Sequence, residues 1–199
     1  MSGESTLITL QEPHRLEEEI KKSRFISCVA RAQSPAEALD YLTSVREPKA
    51  THHCWAYRIG ELYRFSDDGE PGGTAGRPIL AAIDGQGLDQ VMAVVVRYYG
   101  GIKLGAGGLV RAYGNTTSEC LRTAVHLEIR PTLVVLIEAP FDFTGPLYQL
   151  LDRQPVERLS EEYTPTGLSL RVKMETSLYE GFCQELRDAS RGRVAPRII

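Results

Sequence analysis

Two stretches hold the residues whose types and spacing suit chemistry. In Ser66-Asp67-Asp68-Gly69-Glu70-Pro71-Gly72-Gly73-Thr74-Ala75-Gly76, three carboxylates crowd into a loop punctuated by Gly and Pro. Oxygen donors so placed can hold a hard cation such as Mg²⁺, and Asp67, Asp68 and Glu70 would then serve a metal-assisted hydrolase or phosphatase as ligands or base. The same residues, with Thr74, suit a turn or a conformational loop that caps a helix, because carboxylates are favoured beside the free N–H groups and dipole of a helix N-terminus. The loop lacks the alternating ligand spacing of a calcium-binding EF-hand, so no metal or cofactor is assigned to it.

The second stretch is Arg97-Tyr98-Tyr99-Gly100-Gly101-Ile102-Lys103-Leu104-Gly105-Ala106-Gly107-Gly108-Leu109. It follows an apolar, β-branched run and opens a helical pattern. Glycines there let backbone N–H groups approach an anion at the positive end of a helix. Ala106 and Gly107 stand where a Walker loop would carry Lys and Ser/Thr, so this is not that motif. A structural reading stands beside the anionic one: the glycines let the helix pack closely on a sheet. Arg97, Lys103 and Arg111 supply cations, and Tyr98, Tyr99 and Tyr113 supply aromatic faces. Cations for phosphates and rings for unpaired bases suit RNA. The expected nucleic-acid or anion site is therefore Arg97, Tyr98, Gly100, Gly101, Lys103, Gly105, Gly107, Gly108 and Arg111. Tyr98 is its expected stacking platform, while Tyr99 and Tyr113 also suit a core position with polar tips satisfied.

Other candidates carry less. Strand alternation sets His52 and Cys54 on one face and His53 on the other, too few donors for zinc. Ser66 beside Asp67 lacks the Gly-x-Ser-x-Gly elbow of a hydrolase nucleophile, and no catalytic residue is assigned. Cys28, Cys54, Cys120 and Cys183 lie far apart, which fits free thiols in a reducing cytoplasm.

The elements that must position these residues are readable from periodicity. Leu16 to Lys22 and Phe25 to Ala30 form a hairpin turning at Lys21-Lys22-Ser23. Ser34, Pro35 and Glu37 make the start of a helix bearing a stripe of Ala36, Leu39, Leu42 and Val45. Strands follow at 52–59 and 63–65, then a helix from Thr74 to Gly85. Val91 to Tyr98 is apolar on both faces and hence central in its sheet, and a helix runs from about Gly107 to Val125. Beyond Arg130-Pro131 come a strand at 133–138, a helix at 144–153, strands at 156–163 and 168–174, a helix at 178–189 and a last strand at 194–199. This βαββαβ order is the ferredoxin-like pattern. The expected domains are 1–130 and 131–199.

Composition bounds the rest. Hydrophobic residues make up 42% and charged residues 25% of the 199, as in globular proteins. With 23 basic and 26 acidic residues the net charge is −3, so nucleic-acid binding must come from a local patch. No apolar run is long enough for a membrane helix or a leader, and a cytoplasmic location is expected.

The sequence resembles the IMPACT family, including its bacterial members. The matching pieces are Glu19-Ile20-Lys21-Lys22-Ser23-Arg24-Phe25-Ile26, His52-His53-Cys54, Phe65 to Gly76, Arg97-Tyr98-Tyr99-Gly100-Gly101 and Gly108-Leu109-Val110-Arg111-Ala112-Tyr113. The resemblance implies an α+β protein. Its first domain would share the fold of domain 2 of ribosomal protein S5, and its second would be ferredoxin-like, similar to domain V of elongation factor G. Eukaryotic relatives regulate translation by competing for the activator of the kinase that phosphorylates initiation factor 2, partly through an extra domain not matched here. The expected function is a non-enzymatic regulator that binds RNA, the ribosome or a translation factor.

Overall fold

A computed structural model describes residues 6–199. The chain separates into two compact units, which meet in sequence between Ile129 and Arg130. The first contains strands β1 (Leu7–Leu10), β2 (His14–Ile20), β3 (Ser23–Arg31), β4 (His52–Ile59), β5 (Leu62–Ser66), β6 (Val91–Tyr98) and β7 (His126–Ile129). Its helices are α1 (Pro35–Ser44), α2 (Gly76–Gly85) and α3 (Ala106–Thr123). The second unit contains β8 (Thr132–Pro140), α4 (Thr144–Leu151), β9 (Glu157–Thr164), β10 (Gly167–Glu175), α5 (Tyr179–Ser190) and β11 (Arg197–Ile198).

In the first unit, β2 and β3 turn through Lys21 and Lys22, both at positive φ. Helix α1 starts as its side chains dictate: Ser34 Oγ accepts the Glu37 N–H at 3.2 Å, and the Glu37 carboxylate reaches back to the Gln33 N–H at 2.9 Å. The main sheet has the order β2-β3-β6-β4-β5, with every neighbouring pair antiparallel. Strand β6 is central because it is apolar on both faces. Val91, Ala93 and Val95 pack with Phe25, Ile79, Ile83, Tyr113 and Leu121 beneath α2 and α3. Met92, Val94 and Val96 pack with Ala38, Tyr41 and Leu42 of α1 on the other side. Strands β1 and β7 form a separate antiparallel ribbon, Leu7 opposite Ile129.

In the second unit the four strands are antiparallel in the order β11-β8-β10-β9. Alternate residues Val135, Ile137, Leu168, Leu170, Val172 and Met174 pack against Leu147 and Leu151 of α4 and Phe182 and Leu186 of α5. The last strand is shorter than the expected 194–199: the chain turns at Arg191 and Gly192, both at positive φ, and Val194 is buried in the core before pairing begins. Because this unit has its own core, a fragment of residues 130–199 should unfold in one cooperative thermal transition followed by circular dichroism. A fragment with no transition would contradict an independent core.

Candidate functional site

The acidic loop lies between β5 and α2, and its three carboxylates point to different partners. Asp67 accepts the N–H groups of Gly73 and Gly76 at 2.8 Å and of Ala75 at 3.0 Å. It thereby caps α2, which begins at Gly76 and not at Thr74. Thr74 lies in the turn before it, its hydroxyl donating to the Pro71 carbonyl at 2.6 Å. Gly76 is required because a Cβ there would stand 2.8 Å from the Ser66 carbonyl oxygen. Burial works to raise the Asp67 pKa, but the three backbone hydrogen bonds and nearby Arg77 outweigh it and hold the carboxyl below its ordinary value. Asp68 accepts the His53 N–H at 2.6 Å, and its carbonyl accepts His52 Nδ1 at 2.7 Å. Among the described residues no three or more His, Cys, Asp or Glu side chains gather where they could hold a metal ion.

Glu70 turns inward and joins this loop to the second sequence stretch. Its Oε1 accepts Arg97 Nη1 and, at 2.8 Å, the Tyr113 hydroxyl from α3. His52 Nε2 lies 3.8 Å away. Arg97 and Glu70 side chains are only 5% and 4% exposed. Arg97 follows Val91, Ala93 and Val95 onto the helix α3 side of β6, in register with Phe25 on β3 and His52 on β4. Its guanidinium sits 5.2 Å from the Phe25 ring and 5.5 Å from the Tyr99 ring. Nη2 reaches Ser23 Oγ at 3.4 Å, and the buried Nε has no partner.

Tyr98 points the other way. The period of two places it on the α1 side, where its hydroxyl donates to Glu47 and Arg24 stacks 5.2 Å over its ring. The structure therefore does not bring Tyr98 together with Arg97, Lys103 and Arg111. The ring beside Arg97 is Tyr99, 46% exposed, whereas Tyr113 is wholly buried. The cue for Tyr99 was present in the sequence: it is the next residue after Tyr98 and so returns to the Arg97 side as the strand ends.

The glycines divide by role. A Cβ on Gly100 would lie 1.9 Å from the Lys22 carbonyl oxygen, so the chain crosses the β2–β3 hairpin there at contact. Gly101 and Gly105 take positive φ of 84° and 73°. Gly105 then begins α3 with no side-chain cap and no acidic residue in the first turn. The N–H groups of Ala106, Gly107 and Gly108 precede the first intrahelical bond, donated by Leu109 to Gly105 at 2.9 Å. Arg111 folds back toward this end, its guanidinium 3.8 Å from where a Gly107 Cβ would be. Gly108 leaves room for Leu104, 3.0 Å from its would-be Cβ. Lys103 and Arg111 are exposed and make no ion pair or hydrogen bond among the described residues.

A cleft of about 490 Å³ opens between the end of β6, the acidic loop and the start of α3, and Arg111 is not among the residues that line it. Glu70, Arg97 and His52 form its polar floor, Leu104 and Leu109 an apolar wall, and Tyr99 and Lys103 line it beside Gly105. A cleft of this size with few convergent polar groups suits a ligand, and the helix end favours an anion by about 0.3–1 kcal/mol.

Fold and site thus define a mixed α/β protein of two units with a cleft beside the uncapped start of α3 in the first. Residues 21–121 match the Impact N-terminal domain. An IMPACT family member of Thermus thermophilus is 47% identical over 88% of this chain and 97% of its own length. The member of Escherichia coli called YigZ is 39% identical over 90% and 91%. A Dictyostelium discoideum IMPACT homologue is 34% identical over 51% of this chain and 31% of its own. A crystal structure of a hypothetical protein is similar with a TM-score of 0.65 and 36% identity, covering 98% of both chains. The chain belongs to the IMPACT family. No helix among the described residues is long and apolar enough to cross a membrane.

Replacing Asp67 with Ala should lower stability by about 1–2 kcal/mol at pH 7 in urea denaturation, as for loss of a helix cap. The folded-state pKa is depressed, so the stabilisation is full above the unfolded value of about 3.9 and is lost as pH falls through the folded value. The gap between the two proteins should therefore narrow in acid, and a gap unchanged down to about pH 2 would contradict the carboxylate cap.

Proposed function

We propose that this protein is a non-enzymatic regulator of translation that binds RNA, on the ribosome or beside a translation factor, through the cleft at the start of α3. The observation that carries the reading is the convergence of exposed Lys103, the uncapped helix N-terminus and the exposed ring of Tyr99 around one opening, with exposed Arg111 folded back toward the same helix end. Cations and backbone N–H groups suit phosphates, and an exposed ring beside them suits an unpaired base. Arg97 contributes differently from Lys103: its charge is matched by Glu70, so it shapes the cleft and leaves most of the phosphate attraction to the two exposed cations. Family membership supports the link to translation. The proposed fold assignments are a ribosomal protein S5 domain 2-like first unit and a ferredoxin-like second unit, the latter supported by its βαββαβ order and β11-β8-β10-β9 sheet. The alternative of a metal-assisted hydrolase draws no support from Asp67, Asp68 and Glu70, each of which is turned to a different structural partner.

Binding to a single-stranded RNA should weaken with salt. Lys103→Ala should lower the slope of log affinity against log salt by about 0.7, the value for one phosphate contact on a single strand. Tyr99→Ala should cost about 1–3 kcal/mol with little change of slope, and Tyr98→Ala, on the opposite face, should leave affinity within twofold of wild type, taking about 0.4 kcal/mol as the limit. Wild-type protein without salt-dependent RNA binding at low ionic strength would overturn the RNA reading.

A further inference from the structure

The floor and the mouth of the cleft differ in chemistry. At the mouth are donors and positive charge: Lys103 and the first N–H groups of α3, with Arg111 folded back toward that helix end. At the floor are acceptors. His52 Nδ1 lies 2.7 Å from the Asp68 carbonyl oxygen, which can only accept, so Nδ1 donates there, and in the tautomer with that single ring proton Nε2 is an acceptor. Nε2 stands 3.8 Å from Glu70 Oε1. That oxygen is already taken by Arg97 and Tyr113, while Glu70 Oε2 receives no hydrogen bond from the described residues. Arg97 offsets the Glu70 charge but leaves Glu70 Oε2 uncovered. Its Nη atoms are turned to Glu70 and Ser23, and its partnerless Nε is shut away from solvent.

A ligand that fits both ends carries neutral hydroxyl donors at its tip and a phosphate behind them. We infer that the cleft takes the 3′-terminal nucleotide of an RNA strand, with its 2′,3′-diol donating to Glu70 and His52 and its phosphate toward Lys103 and the start of α3. This rests on the RNA-binding reading of the same cleft and makes it more specific. A continuous strand has no terminal diol, and a 3′-phosphate has no hydroxyl to donate at that position and would set negative charge against Glu70 Oε2. The 2′-hydroxyl is both donor and acceptor, so the terminal ribose of RNA offers one hydroxyl more than that of DNA. Tyr99 at the side of the opening provides a face for the terminal base. The volume, about 490 Å³, is that of a small-molecule pocket and not of a groove tracking many nucleotides.

The test uses the full chain and one short RNA sequence in three forms: with a free 3′-hydroxyl, with a 3′-phosphate, and closed into a circle. Affinities are measured by fluorescence anisotropy for the linear forms carrying a 5′ dye, and by competition for the circle. The free 3′-hydroxyl form should bind at least about tenfold more tightly than either of the others, the scale of one buried acceptor left unmatched. Adenosine monophosphate should compete with it, whereas inorganic phosphate should compete only far more weakly. Equal affinity for the three RNAs would overturn the 3′-end assignment and leave RNA binding itself standing. Absence of salt-dependent binding to all three would overturn both. In a His52→Phe variant the preference for the free 3′-hydroxyl should fall while salt-dependent binding persists; an undiminished preference would show that the floor does not read the end.

Discussion

The buried pair of Arg97 and Glu70 is the contact on which the arrangement of the first unit depends. Arg97 comes from the end of β6, Glu70 from the loop before α2, and Tyr113 of α3 donates to the same carboxylate oxygen. Two charges withdrawn from water lose several kcal/mol of hydration each, so neither is tolerated without the other, and removing one partner of such a pair typically costs about 3–5 kcal/mol. The pair therefore ties sheet, loop and helix together. With Ser23 reaching both Arg97 Nη2 and the Gly100 N–H, the same knot also reaches the β2–β3 hairpin.

That constraint explains why the cleft is where it is. The Glu70–Arg97 contact fixes the acidic loop on one side, the close crossing of Gly100 over Lys22 fixes the chain on the other, and the start of α3 is left between them. The two neighbouring helices then differ in an informative way. Helix α2 receives an anion from its own chain, Asp67, whereas α3 receives none and has exposed Lys103 and Arg111 beside it. One loop thus caps its own helix internally, while the next helix begins without a carboxylate in its first turn.

Much of this fold was legible in local patterns. The Lys21-Lys22 turn, the Ser34 cap, the central place of β6 and the βαββαβ order of the second unit each rest on neighbouring residues, where periodicity and capping chemistry act. What escaped involves partners far apart in sequence. The β1–β7 ribbon joins segments more than a hundred residues apart, and four-residue strands have too little pattern to announce themselves. The meeting of the acidic loop with the Gly-rich turn also depends on a long-range pair, Glu70 with Arg97, which no spacing rule contains. Tyr98 is a different case: the alternation that correctly separated His52 from His53 also separates Arg97 from Tyr98, and applying it there puts Tyr99 at the cleft.

On the proposed reading the start of α3, and not the Tyr98 face or the second unit, meets the ligand. Backbone amide NMR of labelled protein titrated with a short single-stranded RNA addresses it directly. The expected result is that shifts concentrate at Tyr99, Lys103 to Leu109 and Arg111, with β4 moving only around His52. Shifts concentrated instead around Glu47 and Tyr98, or within residues 130–199, would contradict it.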